Sequence, residues 1–362
     1  MEPFSCGNTG EKAFLKLGEP NNNRGREGKN FFPQERQEDL DEYVIHTEKL
    51  TKDYSSWFRK TPRPALDQLT ISIPKGCVFG FLGPNGAGKT TTIKILMGLI
   101  RPTGGTALVL NKPYDDVESK NRIGFLPDSP AFTPTLSAYE FLDVCARLLK
   151  IPSERRRKRV DEVLEIVRMS PHAKSKIGTF SRGMLQRIGI AQAILNEPEL
   201  LILDEPLLGL DPYGRQEFKE IILGQKNDFH ASVFFSSHIL SDVEEICDSI
   251  SILNRGRLLC SGPLSTLLSG GGSGITVDVR SEDALRELLT LADQIRKTGP
   301  GEWELLFQRK DPELEAKIDA LSGRYGELVK IRSANETLDS FFFKKIEADN
   351  AKNPAGETSK KD

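Results

Sequence analysis

The residues with the clearest chemistry form the run Gly83-Pro84-Asn85-Gly86-Ala87-Gly88-Lys89-Thr90. The run matches G-x-x-x-x-G-K-[ST], and it follows the apolar segment CVFGFL and precedes a helical pattern. Glycines let backbone N–H groups approach phosphate oxygens, and the start of a helix adds partial positive charge. We expect Lys89 to reach the β- and γ-phosphates and the Thr90 hydroxyl to ligate Mg²⁺. The run therefore predicts a nucleoside triphosphate site.

Polar side chains also follow two further apolar runs. LLILDEP carries Asp204 and Glu205, and SVFFSSH ends in His238. Since ligands of an open α/β sheet gather at the carboxyl ends of its strands, we expect Lys89, Glu205 and His238 to converge on one phosphate. Asp204 is expected to complete the Mg²⁺ shell, and Glu205 to orient or deprotonate an attacking water.

Short apolar runs without alternation must position these groups. Runs that are buried on both faces and separated by helical stretches predict a parallel sheet covered by helices. SISILNRGRLLCSG predicts two strands around an Asn254-Arg255-Gly256 turn. The helices are predicted at Lys89 to Leu99, Ala138 to Leu149, Glu154 to Arg168 and Met184 to Leu195.

The composition is that of a globular protein without a strong charge. Of the 362 residues, 28% are charged and 38% hydrophobic, and the net charge of −2 gives no general attraction to nucleic acid. No apolar run has the length of a membrane span, and the N-terminus has no signal-peptide pattern. The five cysteines include no C-x-x-C pair, which is typical of reduced thiols. Any membrane role is therefore expected to act through a partner.

Composition also predicts the domain boundaries. We expect a disordered tail at 1–41, a flexible Gly-rich linker at 270–274, a small domain at 275–348 and a second disordered tail at 349–362. Within the small domain, ITVDVR, EWELLFQR and ELVKIRS are predicted strands. Glu282 to Ile295 and Asp311 to Tyr325 are predicted helices between them.

The order of the motifs resembles that of the ATP-binding subunits of ABC transporters. The phosphate-binding run is followed by GTFSRGMLQR, LLILDEP, Gly209-Leu210-Asp211-Pro212 and SSH, and the match covers roughly Tyr43 to Leu268. FGFLGPNGAGKTTTIKILMGLIRPTGG and FSRGMLQR are most similar to the ABC-2-type, exporter-like subfamily. The resemblance implies an α/β fold, with a P-loop NTPase domain of the ABC type at 42–269. A helical subdomain is implied at about 125–195, and the C-terminal part is expected to be a small α+β domain.

The resemblance also implies a site shared between two subunits. The family signature LSGGQ binds the γ-phosphate of ATP held by the opposite subunit. Here Phe180 replaces the leucine, Arg182 the first glycine and Met184 the glutamine, while Ser181 and Gly183 remain. A small hydroxyl donor and a closely approaching backbone at a helix start suit phosphate. Arg182 is expected to face solvent or a neighbouring carboxylate.

Three further residues take roles from the resemblance. Asp211 corresponds to an aspartate that crosses the dimer interface, and Asp128, in IGFLPDSPAF, stands where the family usually has a glutamine that senses Mg²⁺. Tyr54 is the expected adenine platform, with Trp57 or Phe58 as alternatives. Catalytic roles fall to Glu205, His238 and Lys89, and Mg²⁺ contacts to Thr90, Asp204 and Asp128. ATP contacts fall to Tyr54, Gly83, Pro84, Asn85, Gly86, Ala87, Gly88, Lys89, Thr90, Thr91, Asp128, Ser181, Gly183 and Asp211.

The expected function is that of an ATP-hydrolysing transporter subunit. ATP closes a homodimer or heterodimer, and the movement energises export by a separate transmembrane permease. The subunit is expected in the cytoplasm, held at the inner face of the cell membrane by that permease. No nucleic-acid partner is expected. The alternatives are an ABC ATPase that acts on ribosomes or DNA, and a weakly active regulatory cassette. SERRRKRVDE is interpreted as a solvated helix face.

Overall fold

The computed structural model describes residues 41–55, 64–269, 274–307, 312–325, 329–334 and 337–352. Almost all of the predicted N-terminal tail, most of the Gly-rich linker and the end of the C-terminal tail lie outside these residues, as do Trp57 and Phe58.

The described part of the chain contains both strands and helices. The strands are β1 Tyr43–Lys52, β2 Leu66–Pro74, β3 Val78–Leu82, β4 Gly104–Val109, β5 Lys112–Pro113, β6 Ile123–Leu126, β7 Leu200–Asp204, β8 Ser232–Ser237, β9 Ser249–Asn254, β10 Arg257–Pro263, β11 Gly274–Val279, β12 Gln294–Gly299, β13 Glu302–Phe307 and β14 Val329–Ala334. The α-helices are α1 Lys89–Leu96, α2 Ala138–Leu148, α3 Ser153–Ile166, α4 Arg182–Ile194, α5 Pro212–Asn227, α6 Leu240–Ile246, α7 Leu264–Ser269, α8 Glu282–Leu288, α9 Pro312–Tyr325 and α10 Leu338–Lys352. None of these described helices is long and apolar enough to cross a membrane.

A six-stranded sheet in the order β10-β9-β3-β8-β7-β6 forms the centre of the large domain. Strands β9, β3, β8, β7 and β6 run parallel, and β10 returns antiparallel to β9 after the predicted turn. Because β3, β8 and β7 are neighbours, their carboxyl ends lie side by side. The predicted parallel sheet is confirmed, and it brings the three polar segments to one edge.

Both faces of this sheet are covered, which explains why its strands do not alternate in sequence. In β7, Ile202 packs into one core and Leu203 into the other. The first core is closed by an antiparallel sheet in the order β2-β1-β4-β5, and the second by helices. Phe81 and Phe234 lie in the first core with ring centroids 5.1 Å apart. Strands that are buried on both faces are therefore continuously apolar, whereas a half-exposed strand alternates between apolar and polar residues.

Helices α2, α3 and α4 pack against one another beside the sheet, within the predicted helical subdomain. Helix α2 begins with a capping box, in which Glu140 N donates to Ser137 Oγ (3.2 Å) and Ser137 N donates to Glu140 Oε2 (2.7 Å). Helix α4 begins at Arg182, two residues before the predicted start, because Ser181 Oγ accepts from Met184 N and caps the helix.

The C-terminal part has one strand more than predicted. Its order is β11-α8-β12-β13-α9-β14, with a sheet in the order β12-β13-β11-β14 whose neighbouring strands are all antiparallel. This is the ferredoxin-like βαββαβ arrangement, and the predicted α+β class is confirmed. The helix predicted at Glu282 to Ile295 is wrong beyond Leu288, since Gln294–Gly299 forms the edge strand β12. Nearly all of β12 is exposed, so its sequence does not show the alternation of apolar residues from which a strand can be predicted.

Helix α10 returns from the small domain to the large one. Leu338 and Phe341 are buried in the core that contains α6, and Leu338 N donates to Glu244 Oε2 (3.1 Å). Asn254 Nδ2 donates to Asp349 Oδ2 (2.8 Å) near the other end of the helix. The domain boundary predicted at residue 348 therefore falls inside a helix that joins the two parts of the chain.

Candidate nucleotide-binding site

A cavity of about 520 Å³ opens at the carboxyl ends of the central strands. The turn after β3, the ends of β7 and β8, and the segment after β6 all contribute to its wall. Most of the residues predicted from the first three motifs line it, together with Ala65 and Leu208, which sequence reasoning missed. The predicted residues in the wall are Asn85, Gly86, Ala87, Gly88, Lys89, Thr90, Thr91, Asp128, Glu205 and His238.

The turn that precedes α1 requires glycine at two positions. A Cβ on Gly83 would lie 2.5 Å from Leu253 O. Gly88 has φ 111°, and a Cβ there would lie 2.7 Å from Ala65 O. Gly83 and Pro84 are not in the cavity wall, so they shape the turn from behind. The sequence folds as a close backbone loop because only glycine fits these positions.

Lys89 begins helix α1 and is 7% exposed. Its Nζ donates to Gly83 O (2.8 Å) and lies 3.3 Å from Glu205 Oε1. The ammonium is thus fixed between the loop and the end of β7, beside the backbone N–H groups of the loop. This arrangement directs a positive charge into the cavity.

Glu205 and His238 form a pair at the ends of β7 and β8. His238 Nδ1 lies 2.8 Å from Glu205 Oε2. Glu205 has a left-handed backbone (φ 50°), which costs a non-glycine residue about 1–2 kcal/mol. Strain of this kind persists only where the surrounding contacts fix the residue, and the pairing with Lys89 and His238 supplies such contacts.

Asp204 is 3% exposed and lies 3.4 Å, Oδ1 to Oγ1, from Thr90. Burial raises the pKa of Asp204, while hydrogen bonds from Ser236 and Thr90 act in the opposite direction. A buried carboxylate beside a hydroxyl fits Mg²⁺, which usually takes one or two carboxylates together with phosphate oxygens and waters. Asp204 itself is not in the cavity wall, but Asp128 is, and the charges of Glu205 and Asp128 also raise the pKa of Asp204.

Ser236 is a residue of this site that sequence reasoning missed. It pairs with Asp204 across β8 and β7, donates to Asp204 Oδ1 (2.7 Å) and accepts from Glu205 N (2.9 Å). One buried hydroxyl therefore orients both acidic residues. The only signal in the sequence was a polar residue two positions before His238, at the end of an otherwise apolar run.

Tyr54 lies just after β1 and is 52% exposed. Lys52 Nζ stands 5.1 Å from the centroid of its ring. The ring is not in the cavity wall, so the structure leaves its role as adenine platform a prediction. The alternatives Trp57 and Phe58 fall outside the described residues.

Ser181, Gly183 and Asp211 line a separate open cleft of about 490 Å³. Among the residues that the structure describes, none lines both cavities. Ser181 caps α4, and Asp211 Oδ1 caps α5 by accepting from Gly214 N (2.6 Å). Arg182 is exposed as expected, but its guanidinium packs against the backbone of Gly209.

Known proteins with similar sequences decide the family. The family model described as ABC transporter matches residues 66–208. An ABC transporter ATP-binding protein from Synechocystis, itself uncharacterised, is 39% identical over 308 residues, which cover 84% of each chain. The chain belongs to the ABC transporter ATP-binding proteins.

This ABC transporter ATP-binding protein is also similar to characterised and solved relatives. The bacitracin transport ATP-binding protein BcrA of Bacillus licheniformis is 42% identical over 226 residues, which cover 62% of this chain and 71% of BcrA. A solved ATP-binding subunit of an ABC transporter is 30% identical with a TM-score of 0.56, and the match covers 63% of this chain and 92% of that one. The predicted P-loop NTPase fold of the ABC type is confirmed. The protein is a nucleotide-binding ABC ATPase of the transporter class.

Proposed function

We propose that this ATPase hydrolyses Mg²⁺-bound ATP at a site shared by two subunits, and that dimer closure energises export by a separate permease. The observation that carries the proposal is the separation of the two clefts. Ser181 and Gly183 line the second cleft, and none of the described residues lines both this cleft and the Lys89 cavity. The ATP they bind is therefore that of an opposite subunit, which is either a second copy or a different chain.

In the Lys89 cavity, the charged groups have complementary tasks. Lys89 binds the β- and γ-phosphates, together with the backbone of Asn85, Gly86, Ala87, Gly88 and Thr91, whereas Gly83 and Pro84 shape the turn behind them. Glu205 takes a proton from the attacking water, and its contact with His238 fixes the orientation of the carboxylate. The ion pair with Lys89 holds the same carboxylate from the other side.

Thr90, Asp204 and Asp128 are the proposed Mg²⁺ contacts. When bound with ATP, Mg²⁺ neutralises negative charge that develops on the phosphates. The close approach of Thr90 to Asp204 supports these two residues, and the place of Asp128 in the cavity wall supports the third. A carboxylate at position 128 replaces the usual amide with a second negative charge. Tyr54 is the proposed adenine platform.

In the second cleft, the start of α4 supplies the groups that face the opposite subunit. Ser181 offers a hydroxyl and Gly183 a close backbone approach, at the positive end of a helix dipole. Asp211 lies at the start of α5 in the same cleft and crosses to the partner. Both helix starts are exposed, which suits a surface that a second subunit covers.

The transport partner is a permease at the inner face of the cell membrane. Similarity to BcrA, which is named for bacitracin transport, and the FSRGMLQR signature support an exporter of the ABC-2 type. ABC ATP-binding subunits work with transmembrane partners, so the cytoplasmic face is where this chain would meet one.

The test is Ser181→Arg in the full chain, with ATP binding and hydrolysis measured separately. We expect nearly normal ATP binding and loss of hydrolysis, because the arginine blocks only the face toward the opposite subunit. Ser153→Arg is the matched control, since it places the same side chain at the exposed start of α3. Hydrolysis by Ser181→Arg at the rate of the control would show that the shared site is wrong.

A further inference from the structure

Arg182 occupies a space that exists because residue 209 is glycine. A Cβ on Gly209 would lie 2.6 Å from Arg182 Cζ, 2.7 Å from Nε and 2.8 Å from Nη1. Gly209 also has φ 76°, a left-handed conformation that favours glycine. The guanidinium is therefore packed directly against the loop backbone.

Helix α4 holds the same loop at a second point. Gln186 lies one turn after Arg182, on the same face of the helix, and its Nε2 donates to Pro206 O (2.9 Å). Gln186 is buried, and the next residue, Arg187, pairs with Glu217 of α5. The segment between β7 and α5 is thus fastened to α4 near its beginning and near its end.

This segment connects the two clefts. It begins just after Glu205, in the Lys89 cavity, and ends at Asp211, in the second cleft. Arg182 is the neighbour of Ser181 in sequence and contacts the segment at Gly209. Its position therefore sets the distance between Ser181 and the loop that follows Glu205.

We propose that Arg182 is a positioning residue, which holds the loop 207–211 and Ser181 in the mutual arrangement that the opposite subunit's nucleotide requires. The inference rests on the shared site proposed above. Within the described part of the chain, the side chain of Arg182 makes no ion pair and no hydrogen bond. A planar and weakly hydrated guanidinium suits contact with a peptide plane, whereas an ammonium does not.

A different role would use the charge of Arg182 directly, as a ligand of the opposite subunit's phosphates. The two roles differ in what lysine can replace. Lysine binds phosphate well as a point charge, but it does not reproduce the packing of a guanidinium on a backbone.

The experiment is a double-mutant cycle in the full chain with Arg182→Ala, Gly209→Ala and the two together, with Arg182→Lys beside them. We expect each single change to lower kcat about tenfold without altering ATP affinity. The kcat of the double variant is expected to be no lower than that of the less active single variant. Arg182→Lys is expected to lose as much kcat as Arg182→Ala. Gly76→Ala controls for the left-handed backbone, because Gly76 has φ 68° and a Cβ there would meet no described atom within 4 Å.

Three results would overturn the positioning role: multiplicative losses in the double variant, full activity of Arg182→Lys, or normal kcat in every variant. If Gly209→Ala does not fold, the alanine and lysine variants of Arg182 decide between positioning and charge. Ser181→Arg in the same assay separates the two proposals. An inactive Ser181→Arg beside fully active Arg182 variants removes only the positioning role, whereas an active Ser181→Arg removes the shared site itself.

Discussion

The two clefts of this ATPase differ in how their polar groups are held. In the Lys89 cavity Lys89 is buried, Glu205 is half-buried, and both are held by charged neighbours: Lys89 contacts Glu205, and Glu205 contacts His238. In the second cleft Ser181 and Asp211 are exposed, and their side-chain oxygens cap their own helices. The first cleft is organised from within, whereas the second presents its polar groups outward. In the shared site proposed above, a single chain supplies an assembled half, which is the Lys89 cavity, and an exposed half, which is the second cleft.

Glu205→Gln is expected to have the largest effect on the assembled half. Removing the base should lower kcat about 10²–10⁴-fold while ATP binding is retained. Steady-state hydrolysis and equilibrium ATP binding check this outcome. Glu199→Gln is the matched control, since Glu199 lies at the opposite end of β7 and pairs with Arg122 on the surface. Near-normal turnover by Glu205→Gln would remove Glu205 as the base.

Ser236→Ala tests whether the assembled half depends on its buried hydroxyl. The change leaves Glu205 N without its acceptor and removes a donor from Asp204, so kcat should fall about tenfold to a hundredfold. Ser251→Ala removes another buried hydroxyl, which bonds to Ser261 away from the cavity, and should leave kcat unchanged. Equal kcat for both variants would show that Ser236 does not orient the acidic pair.

Tyr54→Ala tests the exposed edge of the assembled half. Loss of stacking on adenine should raise the KM for ATP about fivefold with little change in kcat. Tyr54→Trp keeps an aromatic face and is expected to stay near the unmodified protein. An unchanged KM for Tyr54→Ala would assign the adenine platform to another aromatic residue.

Glu140→Gln probes helix α2, which packs against α4, and should have the smallest effect on activity. The hydrogen bond from Ser137 N, with Lys176 nearby, lowers the pKa of Glu140 to about 2, from 4.5. The stabilisation is therefore fully present above about pH 4.5 and is lost as the pH falls toward 2. We expect Glu140→Gln to lower Tm at pH 7, and the difference from the unmodified protein to shrink below pH 4.5. Glu165→Gln is the control, because it removes the same charge from an exposed position on α3. If the Tm difference between Glu140→Gln and the unmodified protein did not change with pH, the ionised carboxylate of Glu140 would not be the source of the stabilisation.

The sequence predicted the assembled half well because its chemistry stands at strand ends. Continuous apolar runs identified β3, β7 and β8, and their adjacency in a parallel sheet then followed for Lys89, Glu205 and His238. Ser236 was missed because its role depends on which strand lies beside β7, and no local pattern encodes that neighbour. The second cleft was predicted through a resemblance, and the packing of Arg182 on Gly209 is a contact between distant segments.

The same limit applies to the fold. Helices with an apolar face, such as α2 and α3, were predicted to within two residues at their ends. The edge strand β12 was assigned in part to a helix, because exposed residues carry no burial period. The return of α10 to the large domain depends on Leu338 and Phe341 finding the core near α6, which the sequence does not specify.

The most direct test of the shared site mixes two inactive proteins. Lys89→Ala lacks a working phosphate cavity but keeps Ser181, whereas Ser181→Arg keeps the cavity but blocks the second cleft. In a mixed dimer, the Lys89 cavity of one chain meets the intact Ser181 of the other, so one complete site is restored. The account predicts that hydrolysis appears on mixing and follows the concentration of mixed dimer. A mixture that stays as inactive as its two components would contradict it.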